Sequence, residues 1–302
     1  MARPLRSCTP HSSGRTDGLT GGNMGFQIEA HGARAVVTGA SSGIGGLYAR
    51  RLAELGWNLT LVARRTERLE DLAQAIRSDH GRDVRTVTAD LGRQDDTERV
   101  CGHVAEDDVA LLVNNAGING YGHFEEVDPA LAHQVLAVNV VAPTLLSRAA
   151  LPGMLARGRG AVVNVASLLA FAGAVAPDPL PYRVTYAGTK GYLVTFTRTL
   201  ASELAGAPVQ VQVLCPGLTE TEFHLTTGAE PVPGRQERVH EDGGMNAGDV
   251  VTASLRGLTD GEVLCVPGLA DPQAAERLVQ AEAELRQGSR PVLAQRYRDP
   301  VD

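Results

Sequence analysis

Lysine is almost absent from this chain. Of its 28 basic residues one, Lys190, is lysine and the other 27 are arginine. Arginine keeps a surface soluble as well as lysine does, but its rigid fork cannot act as a compact, tunable ammonium inside a site. A lysine kept in that background is a candidate functional residue, although a lone survivor proves little by itself. Other scarcities narrow the field. Aromatic residues make up 4% of the 302, with one Trp, which suits closely packed layers of Ala, Val, Leu and Gly. The four cysteines (Cys8, Cys101, Cys215 and Cys265) lie far apart, with no Cys-x-x-Cys pair and no His at zinc spacing. This argues against a disulfide framework or a structural metal and for a reducing, cytoplasmic setting. No apolar run approaches the ~18 residues of a membrane span. The first 33 residues carry arginines but lack the apolar stretch of a secretory signal. A net charge of −7 supplies no basic face for phosphates, so neither nucleic acid nor a membrane is an expected partner.

What is present is an apolar content of 43%, arranged in a regular alternation. Residues 1–30 are rich in Gly, Ser, Thr and Pro without a hydrophobic period, and read as a disordered extension. From Arg34 onward, short apolar runs predict strands near 35–37, 57–62, 84–89, 109–113, 161–165, 209–214 and 262–266. Between them Leu47, Arg51, Leu52 and Leu55 recur at helical spacing, as do Leu69, Leu72, Ala73 and Ile76. Further helices are expected near 94–105, 129–157, 186–205, 247–257 and 271–287, with Pro143 and Pro152 kinking or ending the second of these. Short, doubly buried strands alternating with helices predict an α/β fold. The expectation is one doubly wound Rossmann-type domain over residues 31–270, a parallel seven-stranded sheet with helices on both faces. The polar stretch 218–246 is too long for a plain connection and is expected to form a substrate lid. Residues 271–302 read as a charged surface helix and a tail.

The first strand and helix are joined by Thr38-Gly39-Ala40-Ser41-Ser42-Gly43-Ile44-Gly45. A turn there aims backbone N–H groups and a helix N-terminus at an anion, and its glycines let the backbone approach a pyrophosphate closely. The Gly-x-x-x-Gly-x-Gly spacing departs from the general dinucleotide fingerprint, and a structural tight turn is the competing reading. The second strand ends Leu61-Val62-Ala63-Arg64-Arg65. Ala63 stands where a carboxylate would bind the adenine ribose and repel a 2′-phosphate. Arg64 suits a phosphate dianion, which favours NADP(H) over NAD(H). Arg65 either contributes or pairs with Glu67 or Glu70. Downstream, Tyr186-Ala187-Gly188-Thr189-Lys190 sets a phenol and an ammonium four apart on one helix face. The cation is expected to lower the phenol pKa from its ordinary value and make Tyr186 a general acid–base.

With the motifs below in order along the chain, the octet resembles the classical short-chain dehydrogenase/reductase family over about residues 34–270. The resemblance implies a cofactor cradle of Gly39, Ser41, Ser42, Gly43, Ile44 and Gly45, with Asp90 and Leu91 beside adenine. It adds Asn115, Ala116 and Gly117 of an Asn-Asn-Ala-Gly turn, and Pro216, Gly217 and Thr219 near nicotinamide. Asn139, Ser167, Tyr186 and Lys190 match the family's catalytic tetrad. On that footing Ser167 hydrogen-bonds the substrate carbonyl, and Asn139 holds a water linking Lys190 to solvent. Tyr186 and Lys190 also contact the cofactor, Lys190 at the nicotinamide ribose. A homodimer or homotetramer through helices 129–157 and 186–205 is implied as well.

One departure stands out. Ser167 and Tyr186 are 19 positions apart, longer than is usual in the family, and the extra length falls in the Pro-rich run 174–181. It reads as an enlarged loop beside a pocket formed by residues 118–123, 168–182 and the lid. Leu168, Leu169, Phe171 and Val175 make that pocket apolar, while His123 and His224 either orient a polar substituent or are solvated. Tyr182, eight residues before Lys190, lies off its helical face. The implied activity is an NADP(H)-dependent oxidoreductase acting on a carbonyl or alcohol of a hydrophobic small molecule, without a metal. An epimerase or dehydratase on the same scaffold is an alternative, as is a catalytically silent NADP(H)-binding sensor. Retention of both Tyr186 and Lys190 favours the enzyme.

Overall fold

Strands that are apolar at every position need cover on both faces. The computed structural model, which describes residues 26–28, 30, 32–106, 108–174, 183–227, 230–231 and 244–298, supplies it. Strands β1 (Arg34–Thr38), β2 (Asn58–Ala63), β3 (Val84–Thr88), β4 (Val109–Asn114), β5 (Gly160–Val165), β6 (Val209–Leu214) and β7 (Leu264–Cys265) form one parallel sheet. Their spatial order is β3-β2-β1-β4-β5-β6-β7. β1, β4, β5 and β6 are buried throughout, whereas β3 at the edge shows Arg85 and Thr88 to solvent. The seventh strand is shorter than expected, two residues pairing with Val213 and Leu214.

Helices α1 (Gly43–Glu54), α2 (Thr66–His80) and α7 (Ala247–Thr259) cover one face. There Val37, Leu61 and Leu111 meet Leu52, Ile76 and Val250. Helices α3 (Gln94–Val104), α5 (Ala142–Ala156) and α6 (Val184–Glu203) cover the other. On that side Val36, Val62 and Leu112 meet Val100, Leu146 and Met154. Val36 and Val37 thus point to opposite cores, as a period of two requires. The turns after β1 and β4 leave to opposite faces and open a crevice at the carboxyl ends of these neighbouring strands, the switch point of a doubly wound sheet.

The helical run expected at 129–157 is interrupted. α4 (Pro129–Leu136) passes into a π-turn, Ala137–Val141, before α5 begins. Asn139 lies inside that turn, and Pro143 lacks the N–H that would bond its carbonyl four residues back. Pro152, by contrast, sits within α5 without ending it. Among the described residues, Pro129–Ala156 is the one helical stretch long and apolar enough to cross a membrane. Its buried side, including Leu146, Ala150 and Met154, packs on the sheet, while Leu136, Val141, Leu145 and Leu155 are exposed.

One further expectation changes. Residues 1–25 of the expected disordered extension lie outside the described residues, but its end is packed, because Phe26 and Ala30 are buried. Phe26 stacks on Trp57 at 6.0 Å, and its N–H lies 2.9 Å from the Gln210 side-chain oxygen. Apolar residues near the end of a polar stretch were too few to show a period. α8 (Gln273–Gly288) is a surface helix with no buried residue, tied to α6 by Arg198–Glu282 at 2.6 Å. Most of the Pro-rich insertion, Tyr182, and much of the expected lid lie outside the described residues.

At the opposite end of the sheet from the crevice, Arg34 is 2% exposed. Its guanidinium donates to the Leu59 carbonyl at 2.8 Å, to Asp108 at 2.8 Å and to Asp83, tying together the starts of β2, β3 and β4. The Arg34 hydrogen bond is the main cause holding the Asp83 carboxyl below its ordinary value. Arg34→Met is expected to cost about 1–3 kcal/mol at pH 7, read by the Trp57 fluorescence of a urea melt. A depressed carboxyl contributes its stability above the unfolded pKa and loses it as pH falls, so the gap between wild type and variant should narrow on acidification. A gap constant down to pH 3 would contradict the role given to Asp83.

Candidate active site

The turn after β1 is locked to the turn after β4. The Thr38 hydroxyl accepts from the Asn115 and Ala116 N–H groups at 3.0 Å each, and the Asn115 amide donates to the Thr38 carbonyl at 2.9 Å. Gly39 and Gly43 have φ of 66° and 53°, where a side chain is strained. A Cβ on Gly45 would come within 2.4 Å of both Asn115 and the Gly39 carbonyl, so close packing alone demands glycine there. α1 starts at Gly43, and the side chain of its N-cap residue, Ser42, makes no capping bond. The first-turn amides therefore face the crevice available to an anion. These features fit the pyrophosphate of a dinucleotide.

The crevice has a volume of about 930 Å³. Gly39, Ser41, Ser42, Gly43, Ile44, Arg64, Asp90, Leu91, Asn115, Ala116, Gly117, Pro216, Gly217 and Thr219 line it, as the sequence led one to expect. Gly45 supports it from behind. Arg64 and Arg65 both reach it, but Arg65 makes the bonds: to Ser41 Oγ at 3.0 and 3.1 Å, to Ser42 Oγ at 2.6 Å and to Glu222 at 3.1 Å. Its partners are therefore neither Glu67 nor Glu70. Asp90 accepts from the Gly92 N–H at 2.9 Å and shapes the turn after β3.

At the far end of the crevice β5, α6 and the π-turn bring the four tetrad residues together. Lys190, 3% exposed, donates from Nζ to the Val165 carbonyl at 2.8 Å and lies 5.5 Å from the Tyr186 ring centroid. Ser167 lines the crevice with Tyr186, and its side chain opposes the rise in the phenol's pKa. Asn139 is pinned at both ends of its amide by Ile118, each bond 2.9 Å, and donates to Thr189 Oγ at 3.1 Å. Thr189 in turn donates to the Tyr186 carbonyl at 2.7 Å. Asn139 thus braces the turn that carries Tyr186 and Lys190.

A family model described as short chain dehydrogenase matches residues 33–231. The chain belongs to the short-chain dehydrogenase family. Over 214 residues it is 31% identical to very-long-chain 3-oxoacyl-CoA reductase-B of Danio rerio, covering 69% of this chain and 64% of that protein. A 7beta-hydroxysteroid dehydrogenase of Clostridium sardiniense is 33% identical over 67% of this chain and 75% of its own length. The chain spans a little under two thirds of the length of the first curated relatives it matches. Among solved structures, a short-chain dehydrogenase from Sphingobium yanoikuyae in complex with NADPH superposes with TM-score 0.78 at 31% identity, covering 88% of this chain and all of the other.

Within this short-chain dehydrogenase site the electrostatics differ from the sequence expectation in one respect. Burial pushes the Tyr186 phenol well above its ordinary pKa, and Tyr121 adds to the rise; Ser167 and Arg183 oppose it without prevailing. Lys190 was expected to lower it, but its ammonium is aimed at the Val165 carbonyl while the phenol is sealed beneath aromatic rings. Tyr121 stands edge-on at 5.9 Å and Phe223 tilts against it at 5.6 Å. The Tyr186 phenol is therefore neutral before any ligand arrives. Burial also brings Lys190 down to about 8, with Cys215 opposing the shift.

The substrate end is lined by Tyr121, Leu168, Leu169, Arg183 and Phe223. Arg183 makes it less uniformly apolar than the sequence suggested, its guanidinium 5.7 Å above the Tyr121 ring. Its sequence signal is its place one helical turn before Tyr186, just after the Pro-rich run. Phe171 instead packs against a small core with Leu193 and Val213. His123 does not line the crevice, and the His224 side chain is outside the description.

A buried ammonium carries a cost in the folded state below about pH 8, which fades as pH rises toward the unfolded value of 10.5. Lys190→Met should therefore raise the melting temperature of the cofactor-free protein at pH 7 while abolishing turnover. The gain should shrink between pH 8 and 10. A variant less stable than wild type across that range would show that the Val165 bond outweighs desolvation.

Proposed function

We propose that this chain is an NADP(H)-dependent oxidoreductase that interconverts a carbonyl and an alcohol on a bulky, mainly hydrophobic small molecule. The observation that carries the reading is the buried Tyr186 phenol, with Ser167 beside it on the crevice wall and Lys190 behind it, at the end of a dinucleotide-sized crevice. Several similar proteins support the class: a 3-oxoacyl-CoA reductase, a hydroxysteroid dehydrogenase and a bulky-bulky ketone specific alcohol dehydrogenase. Arg64, Arg65 and Ser41, with Ala63 in place of an acid, support the 2′-phosphate form of the cofactor, as does the NADPH complex of one neighbour.

A bound nicotinamide cofactor supplies or accepts the hydride. The protein's part is proton transfer and positioning. Ser167 holds the substrate oxygen, and Tyr186, neutral because it is buried, gives that oxygen a proton in the reductive direction. Lys190 supplies positive charge that stabilises the phenolate left behind. Leu168, Leu169, Tyr121 and Phe223 exclude water and hold an apolar body against the tyrosine, and Arg183 favours an electron-rich group near the carbonyl. The exposed apolar residues of α4, the π-turn and α5, with Val184 and Tyr192 of α6, suit pairing with a second copy as a homodimer or homotetramer.

Side-by-side fluorescence titrations with NADPH and NADH should show clear preference for NADPH. In a carbonyl panel, Tyr186→Phe should cut turnover by about 100-fold or more and leave NADPH binding intact. Near-normal turnover in that variant would remove the proposed proton donor. Sedimentation velocity should give a dimer or tetramer; a monomer at micromolar concentration would refute the pairing.

A further inference from the structure

The stretch Pro216–Phe223 leaves β6 and crosses the mouth of the crevice, touching both of its ends. On the catalytic side the Phe223 ring lies 5.6 Å from that of Tyr186, and its carbonyl accepts from Asn119 at 3.0 Å. Midway, Thr221 sits over the Gly-rich turn, where a Cβ on Gly43 would be 3.2 Å from its methyl. On the adenosine side Glu222 reaches across to Arg65 at 3.1 Å, and both of its oxygens accept from Arg68, at 2.8 and 3.1 Å. Arg65 spends its other edge on Ser41 and Ser42.

The guanidinium best placed for a phosphate is thus already engaged by the protein's own anion. Burial by itself would raise the Glu222 carboxyl, but the bonds from Arg65 and Arg68 prevail and hold it below its ordinary value, so it is ionised at neutral pH. A 2′-phosphate docking on Ser41 and Arg65 arrives beside that carboxylate. The two anions compete for one guanidinium, and whatever charge Glu222 retains on Arg68 repels the dianion across a distance well inside the screening length. All three side chains are close to half exposed, 44%, 49% and 50% for Arg65, Glu222 and Arg68. Such ion pairs are weak individually. A phosphate, with more charge and more acceptor oxygens, displaces one without being excluded. NAD(H) brings only an uncharged 2′-hydroxyl to this corner and meets no such repulsion.

We infer that Glu222 is a specificity-determining residue, a carboxylate that competes with the cofactor's 2′-phosphate for Arg65 and so narrows the chain's preference for NADP(H) over NAD(H). The inference rests on the NADP(H) reading above. It assigns cofactor choice to both banks of the crevice: to the end of β2, where Ala63, Arg64 and Arg65 lie, and to the segment after β6, which also covers the catalytic tyrosine.

The test is a titration of NADPH and NADH by nicotinamide fluorescence on wild type, Glu222→Gln, Arg65→Ala and the double variant, with Trp57 fluorescence melts confirming that each is folded. Glu222→Gln should tighten NADPH by about 3- to 10-fold, the scale of a weak exposed ion pair plus lost repulsion, and leave NADH within about twofold. In the Arg65→Ala background the same substitution should lose most of its effect, the mark of a contact that acts through Arg65. Weaker NADPH binding, or an equal shift for both cofactors, would overturn the inference and make Glu222 a clasp on the segment. Wild-type preference for NADPH with an unchanged Glu222→Gln ratio overturns the role of Glu222 alone. Wild-type preference for NADH, with Arg65→Ala altering neither cofactor, overturns the NADP(H) reading and the inference together.

Discussion

The Thr38 hydroxyl accepts two amides from the turn after β4, and Asn115 of that turn returns a bond to the Thr38 carbonyl. This exchange joins the two loops that flank the switch point, where the connections from β1 and β4 depart to opposite faces of the sheet. Without it the crevice has no fixed width, because parallel strands define only the direction in which their loops emerge. The interlock also explains why Gly45 tolerates no side chain: Asn115 occupies the space a Cβ would need. Backbone amides at the start of α1, the Asn139-braced loop at Ile118 and the tetrad on β5 and α6 are all placed relative to that junction.

Burial does most of the electrostatic work at the catalytic end. In a half-solvated helix, a lysine four residues after a tyrosine would favour phenolate. Here the ring is enclosed by Tyr121 and Phe223, so desolvation dominates and the phenol stays protonated. The same enclosure weakens the hold of Lys190 on its own proton. A cationic nicotinamide beside this pair would favour the Tyr186 phenolate, while lowering the Lys190 ammonium further.

The arginines are grouped at the other end of the crevice. Arg64, Arg65 and Arg68 stand near the carboxyl end of β2, and the segment after β6 answers them with Glu222. One cross-cleft stretch thus touches both this cluster of arginines and the ring of Tyr186. Arg183 extends the pattern to the substrate end, where a guanidinium over the Tyr121 ring gives polarity to an otherwise apolar wall.

The sequence alone determined the order of elements, the parallel sheet and the pairing of Tyr186 with Lys190 on one helix, because hydrophobic period, glycine spacing and an i,i+4 pair are local properties of a chain. Asn139 and Ser167 are pointed out only by the family resemblance. It placed helix boundaries within a few residues. It also marked Pro143 as a break, although not the π-turn around Asn139 that precedes it. Burial of Phe26 has no local signal, because a single aromatic in a polar stretch has no period and its partners, Trp57 and Gln210, are remote in sequence. Tertiary structure decided which arginine meets Ser41, that Glu222 crosses 157 positions to reach Arg65, and that Tyr186 is desolvated rather than ionised. Each of these depends on distances between loops that converge only when the sheet is assembled, and on a dielectric set by neighbours from other elements, which no window of sequence contains.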